Sequence, residues 1–146
     1  MTDIATTPGG RPPGNGTTYN PIVATAFVVG CPVAPSLTLP GEVVPGAANS
    51  ANTTHLSGIA AGSGVLHSSV LVRFAGPLSL TTAQWDAVTT QTGGLTLGVP
   101  YYLSATTGRL TTTAPSAGGT FVAPVGVALS HTTLMVQISF PVANSP

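Results

Sequence analysis

The sequence predicts an all-β protein: a small β-barrel or sandwich, one short helix near residues 81–89, and an extended N-terminal arm. Three observations point there. Short β-prone runs are cut throughout by Gly, Pro and Asn, with 18 glycines and 14 prolines in 146 residues, a spacing that suits short strands and turns. Val70, Val72 and Phe74 alternate with Leu71, Arg73 and Ala75, and Leu134, Val136 and Ile138 alternate with Met135, Gln137 and Ser139. A period of two with polar members on one side marks a strand with one buried face. The third observation is a single helix-start signal, Thr81-Thr82-Ala83-Gln84.

Taken in order, residues 1–20 are rich in Thr, Gly, Pro and Asn around Pro8-Gly-Gly-Arg11-Pro12-Pro13-Gly14-Asn15-Gly16. Such a stretch has no apolar period and reads as an arm with polyproline character. Residues 21–146 then form the β domain. Strands are expected at 22–29, 43–44, 56–60, 65–74, 78–80, 99–103, 109–113, 121–129 and 134–140. Gly93-Gly94, Gly118-Gly119 and Gly108 supply the positive-φ residues that tight turns need. At 81–84 the Thr81 hydroxyl can accept from an early helix amide while Gln84 reaches back, a capping box. Ala83, Trp85 and Val88 are expected to face the body of the domain. A weak internal echo also shows. Gly58-Ile-Ala60 precedes the strand at 70–74 as Gly126-Val-Ala128-Leu129 precedes the strand at 134–138, and two such units could pair around a small barrel.

Charge narrows the function. Asp, Glu, Lys and Arg make up 4% of the chain, against roughly 25% in an ordinary soluble domain. The set is Asp3, Arg11, Glu42, Arg73, Asp86 and Arg109, with no lysine and a formal net charge of zero. A free protein with so little charge lacks the repulsion that keeps copies apart, so much of its surface is expected to be covered by partners. Three scattered arginines cannot release phosphate counterions along a nucleic acid, so no nucleic-acid partner is expected. The most apolar stretch, 22–29, is too short to span a bilayer, and Pro32, Pro35 and Pro40 interrupt the segment after it; no membrane partner is expected. Met1 to Pro8 lacks a basic n-region followed by an apolar core, so it does not read as a signal peptide.

Chemistry-bearing residues are sparse. Cys31 is the single cysteine, which excludes an internal disulfide and reads as a small buried hydrophobe. His67 adjoins Ser68 and Ser69, and Asp86 could in principle complete a triad, but no Gly-x-Ser-x-Gly elbow frames either serine. His55, His67 and His131 have none of the close spacing of metal-ligand pairs. Asn15-Gly16-Thr17 and Asn52-Thr53-Thr54 match the glycosylation triplet and read as chance. Arg73 and Arg109 sit in or beside strands, either as solvated edge charges or as partners in a salt bridge across an interface. No catalytic, cofactor-binding or metal-binding residue is identified, and no cofactor is implied. A hydrolase or sugar-binding domain would need clustered acids or exposed aromatics, which three carboxylates and 5% aromatics supply poorly.

One ordered series remains. Leu80-Thr-Thr-Ala-Gln-Trp85-Asp86-Ala-Val88 is followed by Thr92-Gly93-Gly94-Leu95, Gly98-Val-Pro-Tyr101-Tyr102-Leu103-Ser104 and Gly108-Arg109-Leu110-Thr111-Thr112. Pro124-Val-Gly126-Val-Ala128-Leu129-Ser130 and Leu134-Met-Val136-Gln-Ile138 close it. This series, over residues 78–140, resembles a β module of tailed-bacteriophage virion proteins, especially head decoration (cement) proteins and some fibre proteins. The resemblance implies a structural, non-enzymatic subunit on the outer surface of the capsid. It would act as a homotrimer that clamps adjacent major capsid protein subunits, with the arm reaching a neighbour. The alternative it leaves is a tail or head fibre or joint protein using the same module.

Overall fold

The structure is a computed structural model that describes residues 17–145. Thr18–Tyr19 (β1), Ile22–Val23 (β2), Pro32–Pro35 (β3), Glu42–Pro45 (β4), Gly58–Ala60 (β5) and Val72–Arg73 (β6) form a six-stranded sheet in the order β1-β6-β5-β3-β4-β2. Then come Ala75–Ser79 (β7), the helix Thr82–Thr89 (α1), Pro100–Leu103 (β8), Leu110–Thr111 (β9), Phe121–Val122 (β10), Pro124–Ala128 (β11), Thr133–Gln137 (β12) and Val142–Ala143 (β13). Five of these strands make a second sheet in the order β7-β12-β11-β8-β9, and β10 pairs with β13 alone. Over the described residues the protein is therefore all-β with one short helix. Neither large sheet closes into a barrel. The first curls until Ile22 bridges Ser69, but no continuous ladder extends from that bridge.

Most strands are shorter than the runs that predicted them, for local reasons. Of 22–29 only Ile22–Val23 is strand; Phe27 then makes one isolated bridge to Gly64, where any Cβ would collide with the Phe27 ring. Of 65–74 only Val72–Arg73 is strand, because His67 adopts a left-handed φ of 68° and turns the chain. The run 121–129 breaks at buried Ala123 into β10 and β11. Strand β3 runs through a segment read as proline-broken. Pro32 and Pro35 occupy its two ends, where a missing N–H interrupts little of the ladder. Of the proposed arm, residues 1–16 lie outside the described residues. Thr18–Tyr19 is already a strand antiparallel to β6.

The helix forms as its start signal dictates. Gln84 N–H donates to Thr81 Oγ1 at 3.1 Å, and Thr81 N–H donates to Gln84 Oε1 at 2.9 Å, the reciprocal capping box. Thr90, in the left-handed region at φ 58°, ends it. The buried residues are Trp85, Val88 and Thr89. Ala83 is exposed, contrary to expectation: two residues before Trp85, it lies roughly 200° round the helix from it.

The internal echo proves to be a repeat of topology. Strands β1, β3, β4, β5 and β6 are ordered β1-β6-β5-β3-β4, and β7, β8, β9, β11 and β12 are ordered β7-β12-β11-β8-β9. These are the same path, antiparallel at every step. Register carries the match to single residues. Ile59 lies between Arg73 and Pro32 as Val127 lies between Met135 and Pro100. Gly58 has φ +158° and its missing Cβ would meet the Arg73 carbonyl; Gly126 has φ +155° and its Cβ would meet the Met135 carbonyl. Only glycine fits either close crossing. The two units do not share one barrel, as the echo had suggested, but stack.

Two of the buried clusters organise the first repeat and its seat on the second. One, inside the curled first sheet, joins Val23, Val33, Val43, Ala60, Val70 and Val72, with Phe27 and Tyr19 against it. The other joins Trp85 and Val88 of α1 to Tyr101, Ala128 and Leu134 of the second sheet. Ile59, from the opposite face of the first sheet to Ala60, lies in that same second cluster. The first repeat thus sets its outer face on the inner face of the second.

Candidate functional site: an uncharged sheet face

Among the described residues, Asp86, Arg109, Arg73 and His131 use their side chains to tie the fold together. Asp86 accepts from the amides of Gly93 at 3.0 Å and Gly94 at 2.7 Å, tying the loop after α1 back to the helix. Arg109 donates to the carbonyl of Ala87, in the last turn of α1, where carbonyls lack helical partners and favour a positive charge. Arg73 reaches Thr17 Oγ1 at 3.3 Å and the Ala75 carbonyl at 3.5 Å, and is half-buried between the sheets. Arg73 thus does not read as a solvated edge charge, whereas the bond of Arg109 lies at the exposed surface. His131 Nδ1 lies 2.8 Å from the Leu95 carbonyl.

The residues weighed for a triad have other roles. Both Asp86 carboxylate oxygens are taken by loop amides, and His67 stands exposed at its strained turn, its amide donating to the Val23 carbonyl. Cys31 is 1% exposed. Burial pushes its thiol up to about 12, against a smaller lowering by the Arg109 charge, so the thiolate that nucleophilic chemistry needs is scarce near neutral pH. Among the described residues, no three His, Cys, Asp or Glu side chains gather closely enough to hold a metal ion. No helix among them is long and apolar enough to cross a membrane.

What the fold displays instead is apolar surface. On β12 the side chains alternate cleanly, Leu134 and Val136 buried and Met135 and Gln137 exposed. Met135 pairs with Pro77 on one side and Val127 on the other, and Val127 pairs with Pro100. Residues opposite one another in register share a face. Pro77, Met135, Val127 and Pro100 therefore form one row across four strands, and all four are exposed, Met135 at 36% and Val127 at 41%. The hydroxyls of Ser79 and Thr133, 2.7 Å apart, border the row. The five strands of this sheet contain no charged residue.

A second apolar feature is a groove of about 370 Å³ lined by His55, Leu56, Ile138, Ser139, Phe140 and Pro141, with Phe140 87% exposed beside it. The sequence signal for the sheet face was present in the alternation of 134–139. Its continuation through Val127, Pro77 and Pro100 was hidden, because register across strands is not written in any local run.

No protein-family model matches the chain, and no curated protein matches its sequence.

Proposed function

We propose that the protein is a non-enzymatic structural subunit of a tailed-phage virion. In this reading it sits on the outer surface of the capsid as a homotrimer and clamps adjacent major capsid protein subunits. The observation that carries it is the uncharged, partly apolar face of the five-stranded sheet, on a chain whose few described ionic groups are mostly engaged with its own backbone. Contiguous apolar surface on a soluble domain marks a place of protein contact, and a face without charges leaves none to be desolvated when a partner arrives. The resemblance of residues 78–140 to the decoration-protein module supplies the identities of the partners, further copies of this chain and the major capsid protein. Binding works through burial: a standard interface covers roughly 1,600 Å², and a ligand of the mature shell stabilises that shell by mass action. Each proline of the N-terminal stretch has its φ fixed by its ring, so capture of that stretch by a neighbour would cost less ordering entropy at those positions.

Co-sedimentation with capsid shells stripped of accessory proteins tests the reading. The full chain is expected to pellet with the shells up to a saturating ratio set by the capsid lattice. A chain lacking residues 1–16, in which β1 is kept, is expected to retain its circular dichroism and bind the shells more weakly. Absence of binding to shells, with attachment to tails instead, would overturn the capsid assignment in favour of the fibre or joint role.

A further inference from the structure

We infer that the exposed face of the five-stranded sheet, centred on Pro77, Met135, Val127 and Pro100, is where a second copy of this chain docks. The inference deepens the self-association in the proposed function and rests on it. Its grounds lie in the repeat.

Register assigns each residue of the exposed row a counterpart in the first repeat. Pro77, Met135, Val127 and Pro100 correspond to Thr18, Arg73, Ile59 and Pro32, which form the equivalent row across β1, β6, β5 and β3. The counterparts are covered: Ile59 is fully buried, Pro32 is buried, and Thr18 and Arg73 are half-buried. What covers Ile59 is the second repeat of the same chain, through the cluster containing Trp85, Tyr101 and Leu134. The same path of strands thus presents the same row twice. Its first occurrence is sealed by packing against a surface of this polypeptide, and its second is open.

Neutrality selects the same occupant. An ordinary protein surface carries many charges, and seating them on a face with no counter-charge would strand them away from water. A second copy brings almost none: six charged residues in 146. It also brings further exposed apolar side chains, Val28, Val65 and Leu66 among them, on segments that bridge at Phe27 and Gly64. Stacking of repeats in which each unit covers its neighbour, with the last left open, is the arrangement that leads from one chain to the next.

Sedimentation velocity on the full chain over a concentration series tests this. Three proteins are compared: wild type, Met135→Glu, and Leu37→Glu, which alters an exposed leucine of the turn between β3 and β4, off this face. Wild type and Leu37→Glu are expected to associate alike, and Met135→Glu to raise the dissociation constant about tenfold or more. Circular dichroism and Trp85 emission report whether the variant is folded; if Met135→Glu does not fold, Val127→Lys carries the same comparison. A folded variant that associates as tightly as wild type overturns the docking face and leaves self-association standing. A wild-type protein that stays a single chain at every concentration overturns self-association itself, and the docking face with it. Loss of shell binding by Met135→Glu with self-association unchanged assigns the face to the capsid and overturns the inference.

Discussion

Trp85→Ala tests the packing of the whole second repeat. The indole is 0% exposed, sits in the cluster with Val88, Tyr101 and Leu134, and its Nε1–H donates to the Thr132 carbonyl at 2.8 Å. An aromatic side chain of this kind buries about 150–250 Å², worth ~4–6 kcal/mol at about 25 cal/mol per Å². Alanine keeps part of that, which leaves a loss of about 3–5 kcal/mol. The hydrogen bond adds little. The Thr132 carbonyl also accepts from Leu80 N–H at 2.9 Å, so it is not orphaned, and its share is about 1 kcal/mol or less. Against a total stability of about 5–15 kcal/mol, the variant should be marginal. Urea unfolding followed by far-UV circular dichroism reads the loss directly, since the substitution removes the only tryptophan. In the dissociated wild-type chain, emission should be blue-shifted and shielded from acrylamide. A destabilisation below about 1 kcal/mol, or red-shifted emission that turns blue only on assembly, refutes the core role and moves Trp85 to an interface.

Glycines, a loop carboxylate and the buried thiol give three further tests. Gly126→Ala should cost about 2–4 kcal/mol in urea melts, because its Cβ would meet the Met135 carbonyl at a φ of +155°. Gly119→Ala, at φ +85° with open space around it, should cost only about 1–2 kcal/mol, and equal losses would show that the close crossing of β11 and β12 is unimportant. Asp86→Asn should lower thermal stability by about 1–3 kcal/mol, since Gly93 and Gly94 donate to different carboxylate oxygens and the variant puts a donor NH2 in place of one of them; an unchanged melting temperature would show the loop to be held otherwise. For Cys31 the raised thiol pKa fixes a sign. Folding favours its protonated form, so that contribution is complete below about pH 9 and declines as pH rises toward about 12. At pH 8 a disulfide reagent should label the native chain only as fast as it opens, and labelling at the rate of a free thiol would refute the burial.

Fold class and several local elements were legible before any strand was paired. Alternation at 134–138 specified a strand with one buried face, and β12 buries Leu134 and Val136 as that pattern requires. The capping box at Thr81 and Gln84 specified where a helix starts, since both partners lie within one turn of each other. Near-absence of charge could be read from composition. The remaining features needed the folded chain. Strand ends depended on distant partners: β1 exists because Thr18 and Tyr19 meet Arg73 and Val72, far along the chain. Strand β3 survives its prolines because they fall at its ends, a matter of register. The short echo around Gly58 and Gly126 became a repeat only when both glycines were seen crossing the same carbonyl of an equivalent strand. The exposed row of Pro77, Met135, Val127 and Pro100 draws on four separate segments, and pairing between strands brings them to one face. Local propensity acts over a few residues, whereas a sheet surface is assembled across strands, so no single run of sequence could show it.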